Sequence, residues 1–119
     1  MHCFKGLASL IEGVVGNDMS GWVYADMNQL CQNIMEVEYY TFTTEYLWGL
    51  SESEVYENEA GDEFPVALKD KNLESWLEIP MIEDVIAHLK HYHENPSQQQ
   101  IAKALRYYHK HDAFIGLDV

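Results

Sequence analysis

No lysine or arginine occurs between Lys5 and Lys69, and that gap is the most informative absence in this 119-residue chain. Seven bases stand against twenty acids, for a formal net charge of −13 at pH 7. Direct binding to nucleic acid or to an anionic membrane is thereby excluded, because both need cationic side chains to meet phosphates. Two cysteines, Cys3 and Cys31, are too few for a disulfide framework, and a domain of this length needs no staple. Both thiols are expected to be reduced in a cytoplasmic protein. No basic segment leads into a long apolar run at the start, so no secretory signal is expected. No apolar run nears the roughly 20 residues of a membrane span. A Gly-rich phosphate loop, a nucleophile elbow and a His-Glu-x-x-His pattern are all missing. Cys31 has no basic neighbour in sequence to activate its thiol.

What the chain does have is concentrated between Glu36 and Glu63. This stretch carries nine carboxylates: Glu36, Glu38, Glu45, Glu52, Glu54, Glu57, Glu59, Asp62 and Glu63. Six large aromatics are interleaved with them: Tyr39, Tyr40, Phe42, Tyr46, Trp48 and Tyr56. A solvated acidic tail is poor in aromatics, and a core strand is poor in charge. A stretch rich in both suits a surface that receives a basic partner. Acidity also serves plain solubility, so charge alone does not make the case. Its distribution adds to it: Gly6 to Leu68 holds twelve acids and no base, whereas Lys69 to Val119 holds eight acids and six bases.

In chain order, Phe4, Leu7, Ile11, Val14 and Val15 recur at helical spacing and predict an amphipathic helix over residues 2–15. Gly16-Asn17-Asp18 stops it, and Trp22-Val23-Tyr24-Ala25 reads as a short strand. Asp26 is placed to cap a helical turn carrying Met27, Leu30, Cys31 and Ile34. Met35 to Tyr46 suits extended structure, with Val37, Tyr39 and Thr41 on one side and Glu36, Glu38, Tyr40 and Phe42 on the other. Glu54 to Glu57 reads as a strand flank or part of a loop, and Ala60-Gly61-Asp62 as a turn. Pro65 confines Phe64 to Leu68 to a strand edge or to a place outside the ladder. Leu73, Trp76 and Leu77 fit a helical turn. After Pro80, Ile82, Val85, Ile86, Leu89 and Tyr92 form an apolar stripe, with Glu83 and Asp84 in the first turn. Asn95-Pro96 breaks that helix, and Ser97 with Gln100 forms a capping box for another, striped by Ile101, Ala104, Leu105 and Tyr108. The expected fold is a single α+β domain over residues 1–119. A small antiparallel sheet would pack against an N-terminal helix and a C-terminal helical hairpin. An all-α arrangement is the alternative.

Three chemistries compete with binding. His88 and His91, at i and i+3, could both reach one metal ion, but exposed histidines that soften an acidic balance look the same in sequence. Paired carboxylates serve as acid and base when their environments differ, and here the acids share one polar segment. Glu52, Glu54, Glu57, Glu59 and Asp62 offer oxygen ligands without the alternating Asp-rich calcium loop. No catalytic residue, cofactor or metal is therefore expected, and recognition remains. Trp22, Trp48 and Trp76 are expected in the core. Tyr39, Tyr40 and Tyr56, set beside acids, divide evenly between core packing and contact.

Gly21-Trp22-Val23-Tyr24 near the start and Ile82 to Ile86 running on to Asn95-Pro96-Ser97 carry a family resemblance. So do Ala104-Leu105-Arg106-Tyr107-Tyr108 and His111-Asp112-Ala113-Phe114. Together they resemble small acidic bacterial immunity proteins, encoded beside toxins of contact-dependent growth-inhibition and related systems. The resemblance covers the last third and one N-terminal strand. It implies a protein that is monomeric before binding and neutralises a cognate toxin domain. Many such toxins are nucleases with basic clefts, and an acidic face would cover the cleft or an adjacent exosite. On that reading the partner-binding residues are Glu36, Glu38, Glu45, Glu52, Glu54, Glu57, Glu59, Asp62 and Glu63, with Tyr39, Tyr40 and Tyr56 as anchors. The alternatives are an acidic nucleic-acid mimic that blocks a DNA-binding or DNA-processing protein, and a small metal-binding protein or enzyme using His88 and His91.

Overall fold

A computed structural model describes residues 1–59 and 61–114. Ala60, part of the expected Ala60-Gly61-Asp62 turn, lies outside the described residues. The chain opens as a strand where the spacing predicts a helix: β1 is His2–Lys5 and α1 is Leu7–Val14. Gly6 makes the break. Its φ is 90°, and a β-carbon there would lie 2.8 Å from the Met35 carbonyl oxygen. The Gly6 and Leu7 amides donate to the carbonyls of Val37 and Met35 at 3.0 Å, which holds the segment against the sheet. Phe4 keeps its apolar role, but from the strand, with its ring in the space over Gly13 of α1.

The strand β2, Trp22–Ala25, and the helix α2, Met27–Gln32, follow as expected. Asp26 caps α2, its carboxylate accepting from the amides of Asn28 and Gln29. Of the stretch expected to be extended, Glu38–Thr41 forms β3, and the chain then turns into a short helix α3, Thr44–Trp48. Thr43 causes that turn, its hydroxyl accepting from the Tyr46 amide at 3.1 Å. A 3₁₀ turn, Glu52–Glu54, leads into a hairpin of β4, Val55–Glu57, and β5, Glu63–Pro65. A second 3₁₀ segment, Val66–Lys71, closes on Asn72 at φ 53°.

Glu74–Glu78 is a strand, β6, and not the expected helical turn. Val23 faces Leu77 while Tyr24 faces Ser75, so Trp76 is the extra residue of a β-bulge. The bulge sends Trp76 and Leu77 to the same core, and that breaks the alternation by which a strand is recognised. The helix α4, Ile79–Leu89, begins one residue before Pro80, which suits proline's place in a first turn. Glu83 and Asp84 consequently fall past that turn, and Glu83 accepts from the Gly16 amide at 3.1 Å. Ser97 and Gln100 form the expected capping box at the start of α5, Gln98–His111. The Tyr108 hydroxyl of α5 reaches the Met81 sulfur of α4 at 3.1 Å, as an antiparallel hairpin requires. The fold is α+β, as expected, and the all-α alternative falls. Among the described residues no helix is long and apolar enough to cross a membrane.

The four-stranded sheet runs β1-β3-β2-β6, antiparallel throughout, and both of its faces are covered. Val23, Ala25 and Tyr39 face the main core with α1, α4 and α5. Tyr40 and Phe42 face a smaller aromatic cluster with Phe64, Leu68 and Leu73, against which Tyr24, Leu47 and Tyr56 pack. The β4–β5 hairpin thus lies on the sheet face opposite α1, α4 and α5.

Candidate functional site

The hairpin explains why one side of β3 mixes carboxylates with aromatics. Tyr40 and Phe42 are needed under the hairpin, whereas Glu38 sits beyond its cover. Tyr39 and Tyr40 are 0% and 5% exposed, so the expectation that they anchor a partner is corrected. Tyr39 is held in the main core, donating its hydroxyl to the Ile34 carbonyl at 2.7 Å and packing 5.3 Å from Trp76. The Tyr40 hydroxyl donates to the Glu38 carboxylate at 3.0 Å, and the Cys3 thiol approaches the same oxygen at 3.5 Å.

That contact leaves a pH signature. The Tyr40 hydrogen bond, then the Cys3 thiol, hold the Glu38 carboxyl below its ordinary range. Burial, then the bond to Glu38, push the Tyr40 phenol well above its ordinary value. The carboxyl, lowered on folding, stabilises the fold above the ordinary carboxylate range and loses that contribution as pH falls through its depressed value. The phenol, raised on folding, stabilises below about pH 10 and loses that contribution as pH rises through its raised value. Tyr40→Phe is expected to cost about 1 kcal/mol or less at neutral pH, since Glu38 is solvent-exposed. Its stability should also fall less steeply than the wild type's toward pH 3 and toward pH 10.5. Urea midpoints at the three pH values check this; parallel profiles would count against the bond.

The nine carboxylates do not form one face. Glu36 accepts from the Asn33 side chain at 3.0 Å and lines a depression with Gln29 and Gln32 of α2. Glu38 lies beside β1, with Lys5 and Lys71 near enough to act on its charge. Glu45 lines a groove on one side of α3 together with Trp22, Tyr24, Phe42 and Leu47. Glu54 is occupied locally, accepting from the Ser51 amide and hydroxyl at 3.1 and 2.8 Å. Glu59 and Asp62 belong to the hairpin connection, where the Asp62 charge acts on Tyr24, a phenol raised mainly by burial. Glu52, Glu57 and Glu63 come together.

They line a groove of about 400 Å³ between α3, the 3₁₀ turn and the β4–β5 hairpin, shared with Leu47, Trp48, Leu50, Ser51, Val55 and Tyr56. The half-buried apolar residues form its inner lining and the exposed carboxylates its outer one. Trp48 is 78% exposed, which corrects the expectation that it belongs to the core. Neighbours in a helix point about 100° apart. With Leu47 packed against the small aromatic cluster, Trp48 is turned outward. Trp22, on the opposite side of α3, is 42% exposed and is corrected likewise; Trp76 is buried as expected. Leu47, Trp48, Leu50 and Val55 are groove residues that sequence reasoning missed. The adjacency of Leu47 and Trp48 before Gly49 was the one available signal.

Within the groove, Glu57 and Glu63 face each other directly across the hairpin ladder. Such partners bring their β-carbons to about 5 Å, where like charges destabilise the pair. Among the described residues the side chains of Glu52, Glu57 and Glu63 have no hydrogen-bond or ion-pair partner. An aromatic face and three unneutralised carboxylates can receive a cation by Coulombic attraction, charge-assisted hydrogen bonding and ring contact.

His88 and His91 lie with ring centroids 6.4 Å apart and steeply inclined, and His88 stacks on Phe114 at 4.6 Å. Among the described residues no group of three potential metal ligands occurs.

Residues 26–117 match the family described as "Domain of unknown function (DUF7716)", and the chain belongs to that family. No curated protein and no solved structure matches the chain significantly. The matched span starts at the Asp26 cap and leaves out β1, α1 and β2. Because β1 and β2 flank β3 in the sheet, residues 26–117 alone would leave β3 unpaired on both sides.

Proposed function

We propose that this member of the DUF7716 family is an immunity-type inhibitor that binds a basic toxin domain, a nuclease in the first instance, through the face carrying α3 and the β4–β5 hairpin. The observation that carries the reading is the groove itself. Trp48 is exposed at a site whose carboxylates have no ion-pair partner among the described residues. Tyr and Trp anchor interfaces because they bury much area with few rotors, and carboxylates around them meet arginine and lysine. A nuclease cleft is basic because it must hold phosphates. An acidic protein is steered into such a cleft, and the apolar lining of the groove supplies short-range adhesion once it arrives. Glu52, Glu57, Glu63, Trp48 and Tyr56 form the centre of the proposed interface, with Glu45 and Trp22 on the far side of α3. Glu36 and Glu38 lie outside it. The resemblance in the C-terminal third to immunity proteins of contact-dependent growth-inhibition systems agrees with this use of the surface.

The test is co-expression with a candidate toxin domain, sought first in the adjacent gene. Growth should be restored and a one-to-one complex should co-purify. Trp48→Ala should weaken the complex by about 2 kcal/mol, or roughly thirtyfold in Kd, while leaving the fold intact. A toxin that still kills in the presence of the folded protein would overturn the proposal.

A further inference from the structure

The groove is specific enough in its chemistry to name what it takes. Glu57 and Glu63 are locked opposite one another by the hairpin register, so neither can leave the other without breaking the ladder. Both line the groove that Trp48 borders, and Glu52 adds a third carboxylate from the 3₁₀ turn. A like-charge pair facing a groove, with no ion-pair partner among the described residues, is a local cost that a cationic guest removes.

Resting on the binding reading above, we infer that the groove is a receptor for a single arginine side chain of the partner. Its guanidinium would bridge the Glu57 and Glu63 carboxylates and lie against the Trp48 indole. Arginine fits better than lysine for three reasons. Its planar fork has five donors and can serve two carboxylates at once. Its flat face stacks on an aromatic ring, as an ammonium does not. It is also less strongly hydrated, so entering a half-apolar groove costs it less. Val55, Leu50 and Leu47 lie where the aliphatic stem of such a side chain would pass.

The inference makes two predictions of opposite sign for one substitution. Glu63→Gln removes the cross-strand repulsion, so the free protein should gain about 1–4 °C in melting temperature. The same change should weaken arginine binding about fivefold or more, because a charge-assisted partner is lost. Binding is read with the capped tripeptides Gly-Arg-Gly, Gly-Lys-Gly and Gly-citrulline-Gly, titrated into the full chain. The indole N–H resonances of the three tryptophans are followed, with Trp48 assigned from Trp48→Phe. The arginine peptide should move the Trp48 signal and the Glu63 amide, the lysine peptide less, and the citrulline peptide hardly at all.

Equal responses to all three peptides, or none at Trp48 and Glu63, would overturn the arginine receptor. Because no toxin is used, the result separates from the functional proposal. A groove that selects arginine in a protein that fails to protect cells sinks the immunity reading alone. A protein that protects cells but ignores the arginine peptide sinks the receptor alone.

Discussion

Reversing both Glu57 and Glu63 to lysine is expected to slow association with the proposed partner, a basic toxin domain, by tenfold or more and to flatten its dependence on salt. The rate is the sensitive quantity because steering acts on the encounter, and a double reversal moves the local charge by about four units where the two surfaces first meet. Dissociation should also accelerate, since the carboxylates proposed to meet the partner's cations are gone. The double change is preferable to a single one. It keeps a like-charge pair across the ladder, so the hairpin carries a similar repulsion and the free protein's stability is little altered. Stopped-flow mixing at low and at physiological salt, with Trp48 as the fluorescent reporter, provides the measurement. Unchanged rates at both salt concentrations would remove the groove from the interface, whatever the protein binds.

Phe64→Ala is expected to produce the largest loss of stability, and a local one. Phe64 is fully buried, with its ring 4.9 Å from Tyr24, 5.9 Å from Phe42 and 5.6 Å from Tyr56. It is the side chain through which the hairpin grips the sheet. Removing a buried phenylalanine ring costs about 3–5 kcal/mol, from lost transfer energy and the cavity left behind. The small aromatic cluster is separate from the main core, where α4 and α5 pack on the other face of the sheet. Hydrogen exchange should therefore show protection lost over residues 52–73 and retained in α4 and α5. Binding to the proposed partner should fall sharply although Phe64 itself is not at the surface. Equal loss of protection everywhere would mean that the two clusters unfold as one unit.

These two outcomes bear on different parts of the same device. One concerns the charges at the mouth of the groove, and the other the aromatic cluster that holds the groove in shape. Their separation matters for reading any variant from this chain. On the proposed interface, a change at Tyr40 or Phe42 would reduce binding through support, whereas one at Trp48 or Glu57 would act on the contact.

Much of the architecture could be read directly. The Asp26 and Ser97 caps are local hydrogen-bonding devices, and local devices survive in sequence. The apolar stripes of α4 and α5 were legible because each helix buries one face against a single core, apart from Tyr92, which lies past the end of α4 and is exposed. β1 and β6 were not. Phe4 and Leu7 happen to be three apart, and the helical spacing hid a break that only the close approach of Gly6 to Met35 reveals. In β6 the bulge at Trp76 sends neighbouring side chains to one core, so the period of two that marks a strand is absent.

By itself the sequence favoured the α+β class over an all-α one, and it determined the helical hairpin and the existence of a base-free acidic stretch rich in aromatics. Each of these depends on composition or on spacing within one element. Tertiary structure decided which of those residues meet. It buried Tyr39 and Tyr40, sent Glu36 and Glu38 elsewhere, and gathered Glu52, Glu57 and Glu63 around an exposed Trp48. The physical reason lies in the sheet's second face. An alternating strand reads as half exposed until something covers it, and what covers β3 is a hairpin some twenty residues further along the chain. No periodicity within β3 could announce that cover, and the groove exists only because the hairpin is there.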